Sequence, residues 1–149
     1  MPLPRAVAVA AVQKLAEPPT ETVALSYQDR HRRRLTMTSD SGREFLLDLP
    51  KAVAIADGMC LSLDDDSHIR VVAIDEDVLD ITTPDRDTLM RIAWHLGNRH
   101  LPTELSADRV RIAYDHVIEE MVIGLGGHVQ RRQAPFHPEG GAYAHHDHA

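Results

Sequence analysis

The sequence predicts an α+β protein in two parts: an all-β half, then a mixed half that ends in a histidine-bearing tail. Three observations carry this. Up to about residue 73, apolar residues come in short, turn-bounded stretches without helical period. Beyond residue 84, two segments take on the 3.6-residue spacing of amphipathic helices. Finally, five of the ten histidines lie between His128 and His148, the strongest bias in the composition.

The elements follow in order. Ala6 to Val12 reads as an opening strand; with only Arg5 ahead of it, a secretory leader is the weaker reading, and the cytoplasm is the expected compartment. Thr22–Tyr27 and Leu35–Thr38 are β-rich. Ser39-Asp40-Ser41-Gly42 is a turn before Glu44–Leu49, and Pro50 stops that strand. Ala52–Ile55, Cys60–Leu63 and His68–Ala73 are further strand candidates. Val72–Ile81 can form a strand leading to Thr82-Thr83-Pro84. Asp85 to Leu96 is helical, with Leu89, Ile92 and Leu96 on one face, and Gly97-Asn98 ends it. Pro102 to Ala113 is extended or irregular. Asp115 caps a second helix, about His116 to Leu125, and Gly126-Gly127 ends that one. His128 to Arg132 is a last strand, and mobility is expected from Gln133 onward. If Pro102–Ala113 holds two strands, the second half is a βαββαβ, ferredoxin-like sandwich. The expected organisation is a β domain over 1–73, a ferredoxin-like domain over 74–134 and a flexible tail over 135–149.

Bulk properties narrow the function. A net charge of −7 disfavours non-specific nucleic-acid binding. The basic run Arg30–Arg34 and the acidic Asp64-Asp65-Asp66 read as solvated loop or edge. The lone Cys60 has no internal disulfide partner, and its apolar neighbours favour an inert core thiol over a ligand or nucleophile. No run is long enough to span a bilayer. No phosphate loop, His-Glu-x-x-His helix or nucleophile elbow is present, so an enzyme is not expected. A metal-dependent hydrolase would have to draw on Glu119 and Glu120 beside His116, which read more simply as a solvated helix face.

The chemistry sits in imidazole. His145, His146 and His148 form a cluster suited to nickel, zinc or copper, broken by Asp147 in a way a purification tag is not. His100 follows a helix end; alone it cannot fill a coordination shell, but a two-fold dimer would supply a pair. His116 opens the second helix, where ligand and surface readings stand even. His137, between Phe136 and Pro138, can join the tail ligands.

Three blocks carry a family resemblance: Trp94-His95-Leu96-Gly97-Asn98-Arg99-His100-Leu101-Pro102, Tyr114-Asp115-His116-Val117, and Ala134 to Tyr143. They resemble the UreE family of urease accessory metallochaperones, specifically from about residue 84 onward and by layout before it. The resemblance implies a β "peptide-binding" domain, then a ferredoxin-like metal-binding domain through which the chain forms a homodimer. It implies that His100 is the central interfacial ligand, with His116 as an additional one. Tail residues His145, His146 and His148, with His137, would join or feed that site. Some members carry a histidine where this chain has Tyr114. The implied function is delivery of Ni(II) for assembly of the urease active site. The implied partners are a urease-maturation GTPase and the apo-urease accessory complex, with no nucleic acid and no membrane. Zn(II) or Cu(II) can occupy the same ligands. The alternative is a general nickel or zinc buffer without a dedicated client.

Overall fold

The computed structural model describes residues 2–140. The chain divides into two compact units, with the break between Ile74 and Asp75.

The first unit is a mixed six-stranded sheet. Its strands are β1 (Arg5–Ala10), β2 (Thr22–Leu25), β3 (Arg34–Thr38), β4 (Glu44–Asp48), β5 (Cys60–Leu63) and β6 (His68–Ala73). Their order across the sheet is β2-β6-β5-β1-β4-β3. Two pairs, β1 with β4 and β2 with β6, are parallel. The alternation seen in sequence places Phe45, Leu47, Leu61, Ile69 and Val71 in one core, each fully buried. Glu21 gathers Ser39, Ser41 and Arg43 at one end. The Ser39 hydrogen bond, aided by Arg43, holds its carboxyl below the usual range.

Two expectations are corrected here. Ala52–Ile55 is not a strand. Its last residue is engaged by Arg30 instead: Ile55 N–H donates to Arg30 O at 3.0 Å, and Arg30 Nη1 donates back to Ile55 O at 3.3 Å. Arg30 is accordingly 2% exposed, unlike the solvated run its neighbours suggested. The stretch from Val72 to Ile81 is also not one strand. Ile74 N–H donates to Leu25 O, and a new strand in a second sheet starts at Glu76.

The second unit is β7 (Glu76–Thr82), α1 (Arg86–Asn98), β8 (Glu104–Leu105), β9 (Val110–Ala113), α2 (His116–Gly124) and β10 (His128–Ala134). The sheet order is β10-β7-β9-β8 and every neighbouring pair is antiparallel. This is the ferredoxin-like arrangement, with β8 and β9 supplying the two strands inside Pro102–Ala113. Leu79, Ile81, Val110 and Ile112 face the helices and pack with Ile92, Leu96, Ile118 and Val122. Each such side chain contributes about 1.5–3 kcal/mol by leaving water. Both helices start at an aspartate whose carboxylate accepts backbone N–H groups: Asp85 from Thr88, and Asp115 from Val117 and Ile118.

The opposite sheet face is charged. Asp80 and Arg111 are partners across β7 and β9, and Arg111 and Glu104 across β9 and β8. Arg111 donates to Asp80 through Nε at 2.6 Å and Nη2 at 3.1 Å. Burial pushes the Asp80 carboxyl up, but hydrogen bonds from Arg111 and the charges of Arg111, Arg109 and Arg132 outweigh it and hold the group below its ordinary value.

Gln133 and Ala134, expected in the mobile stretch, belong to β10. Arg111 Nη1 donates to Pro135 O at 3.0 Å, and His137 N–H donates to Glu104 Oε1 at 2.8 Å. Glu139 N–H donates to Thr103 O at 2.8 Å, and Phe136 is 2% exposed.

Candidate metal centre

The end of α1 positions His100. Leu101 N–H donates to Leu96 O and His100 N–H to Gly97 O, which closes the helix in a Schellman motif. The motif requires a left-handed residue, and His100 supplies it at φ 59°. Glycine is the usual occupant, because a Cβ there costs on the order of 1 kcal/mol. The same motif ends α2: Gly127 N–H donates to Val122 O and Gly126 N–H to Ile123 O, and there the left-handed residue is Gly126 at φ 99°. Leu101 packs onto the core, while His100 remains exposed at the tip.

His116 is the first residue of α2, directly after its Asp115 cap, and is exposed. His137 is exposed on the segment pinned by Glu104. His145, His146 and His148 lie outside the described residues. Among the described residues no three His, Cys, Asp or Glu side chains converge into a metal-sized group. One protomer therefore does not gather His100, His116 and His137 into a finished site.

Other candidates are excluded on chemistry. His128 lines an open cleft of about 550 Å³ with Asp80, Asp108, Arg109 and Arg132. The Asp80 carboxylate is engaged there by Arg109, Arg111 and Arg132, which leaves it committed to guanidinium rather than to a cation. Cys60 is fully buried, and burial raises its thiol above the ordinary range, which disfavours a thiolate ligand. Tyr114 is covered by Arg131, whose guanidinium sits 3.7 Å above the ring while pairing with Asp77.

Two features were not read from the sequence. Met90 and Trp94, one helical turn apart on α1, are 69% and 64% exposed. Their signal was present: both are large and apolar, yet fall off the Leu89–Ile92–Leu96 stripe. The Glu104–Arg111 hold on residues 135–137 was the second, and it had only the Arg109-x-Arg111 alternation to announce it. No helix among the described residues is long and apolar enough to cross a membrane.

Comparison with known proteins gives consistent matches. Residues 4–74 match the model of the UreE urease accessory protein N-terminal domain, and residues 76–149 match its C-terminal domain. The urease accessory protein UreE of Rhodopseudomonas palustris (strain HaA2) is 55% identical over 128 residues, which is 86% of this chain and 60% of that protein. That of Bradyrhizobium sp. (strain ORS 278) is 52% identical over 145 residues, covering 97% of this chain and 69% of the relative. That of Beijerinckia indica is 46% identical over 138 residues, covering 89% of this chain and 80% of the relative. The chain thus spans three-fifths to four-fifths of the length of these relatives. With both halves matched by its two domain models, the chain belongs to the UreE urease accessory protein family.

Proposed function

We propose that this protein is a homodimeric carrier of Ni(II) that acts in urease assembly and catalyses no reaction of its own. Nickel is its cargo. The metal sits between two copies of the second unit, centred on the two His100 imidazoles. His116 is an accessory ligand. His145, His146 and His148, with His137, complete or feed the site from the tail.

The observation that carries this reading is the left-handed backbone of His100 at the exposed end of α1. A non-glycine residue held in the left-handed region at an exposed helix end is a candidate for a side-chain role. A second observation supports the pairing. Met90 and Trp94 give α1 an exposed apolar stripe leading toward His100. In a two-fold contact through that stripe, a residue near the axis meets its own copy. The absence of a convergent ligand group within one protomer's described residues agrees with a site finished by a second chain and the tail.

Ni(II) accepts imidazole nitrogen and higher coordination numbers, so two histidines leave room for tail ligands and water. Zn(II) and Cu(II) bind the same groups, and copper more tightly. Selectivity then rests on metal supply and on docking to a urease-maturation GTPase and the apo-urease complex in the cytoplasm. Release proceeds by ligand exchange: tail histidines leave and the acceptor's ligands enter.

The test is urease maturation in a reconstituted assembly reaction at limiting nickel. The wild-type chain raises the urease activity recovered and His100→Ala does not. If the wild-type chain holds nickel yet raises no activity, it is a buffer and delivery is refuted.

A further inference from the structure

We propose that the outer edge of β3 is a docking strip for an extended acidic segment of another protein. β3 ends the strand order of the first unit: β4 pairs with one side, and among the described residues no strand pairs with the other. The register says which main-chain groups face outward. Leu49 N–H donates to Arg33 O and Ser39 N–H to Arg43 O, both across the line of the β3–β4 ladder. Residues 33, 35, 37 and 39 therefore turn their N–H and C=O groups to β4, and those of Arg34, Thr36 and Thr38 turn away. Leu46, opposite Thr36, agrees, because its N–H donates to Pro4 O on the far side of β4. Arg34, Thr36 and Thr38 are all exposed. Their outward groups recur every second residue along a strand about 17 Å long, the pattern an added strand needs.

Charge selects the occupant. Arg32, Arg33 and Arg34 are exposed, and no carboxylate among the described residues forms an ion pair with any of them. Asp48, opposite Arg34 in register, lies 3.4 Å from Arg5 Nε instead. Arg33 is steadied by a 3.0 Å hydrogen bond from Nη1 to Leu49 O. Three guanidinium groups without a counter-charge thus stand at one end of the open edge, in a chain whose net charge is −7. Positive charge on an edge strand discourages pairing with the same edge of a second copy and admits a strand of opposite sign. Nucleic acid offers the negative charge but not the alternating N–H and C=O groups, and the acidic remainder of the chain repels it. In the docked state the segment's main chain pairs with Arg34, Thr36 and Thr38, and its carboxylates meet Arg32 and Arg34.

The test is fluorescence anisotropy with the metal-free full-length chain and a labelled peptide of alternating Glu and Val, about eight residues long to span β3. Two control peptides separate charge from strand pairing. One has Gln for every Glu; the other keeps every Glu but is N-methylated throughout, which removes its N–H donors. The acidic peptide is expected to bind, and each control to bind about tenfold more weakly. The double variant Arg32→Gln, Arg34→Gln is expected to weaken the acidic peptide by about the same factor, and so is Thr36→Pro. Proline suits this edge position, because the N–H it removes faces outward. Thermal unfolding confirms that each variant is folded; should Thr36→Pro not fold, the N-methylated peptide makes the same comparison on the wild-type chain. An N-methylated peptide that binds as tightly as the unmodified one reduces the edge to a charged patch and overturns the proposal. A single-stranded oligonucleotide that binds more tightly than the acidic peptide overturns it too, as does peptide binding indifferent to the substitutions. Absence of binding up to about 1 mM peptide overturns it outright.

Discussion

His100 and Gly126 occupy the same position in the same helix-ending motif, at φ 59° and 99°. One fold thus contains its own control. The end of α2 has glycine at the left-handed position and the end of α1 has histidine, as the proposed ligand role of His100 would require. His100→Gly is expected to match or exceed the wild type in stability, by up to about 1 kcal/mol, since relief of backbone strain slightly outweighs the added unfolded-chain entropy. The same variant loses tight nickel binding. Urea unfolding beside a nickel titration measures both; clear destabilisation would show that the imidazole is there for the fold.

Gly127 has a different role from Gly126. A Cβ built on it meets Val122 Cγ1 at 2.6 Å, Ile92 Cδ1 at 3.0 Å and Val122 O at 3.1 Å. Two of these atoms belong to β-branched core side chains and one to backbone, so little can yield. Gly127→Ala is expected to cost about 2 kcal/mol of stability by overpacking. Denaturant unfolding followed by circular dichroism checks this.

Asp80 ties the second unit to acid stability. Its carboxyl is depressed in the folded state, so its contribution is fully present above the unfolded value of about 3.9 and is lost as pH falls through the folded value. Asp80→Asn stays neutral throughout. It is expected to be less stable than the wild type near pH 7, and the gap should narrow below about pH 4. Asp80→Ala leaves Arg111, 8% exposed, without its main partner, at a cost of about 3 kcal/mol. Urea midpoints measured between pH 3 and 7 test both variants.

Trp94 is the sole tryptophan and is 64% exposed in one protomer. In the proposed dimer, contact through α1 would bury it. Emission should therefore shift to longer wavelength on dilution, in step with the loss of dimer seen by light scattering. Trp94→Glu is expected to yield a folded monomer with much weaker nickel binding. A dimer that persists in Trp94→Glu would place the interface elsewhere.

Periodicity made most elements legible. Cys60–Leu63 and His68–Ala73 are strands with those limits, and the caps at Asp85 and Asp115 mark both helix starts. Local pattern failed where a distant partner decides the structure. Ala52–Ile55 has strand composition, yet the backbone groups of Ile55 bond to Arg30. Pro135–Gly140 has the composition of a loose tail, yet Arg111 and Glu104 reach it across the sheet face. The candidate site was legible as residue types at an exposed helix end. Its left-handed backbone was hidden, because Gly97-Asn98 offered two conventional stops before His100.

The most direct test of the paired-histidine site is calorimetric Ni(II) titration of the wild-type chain beside His100→Ala, with the oligomeric state of each followed by light scattering. One tight Ni(II) per two wild-type chains is expected, with loss of that event in a variant that is still dimeric. Tight binding that survives in His100→Ala, or one tight ion per monomeric chain, would contradict it.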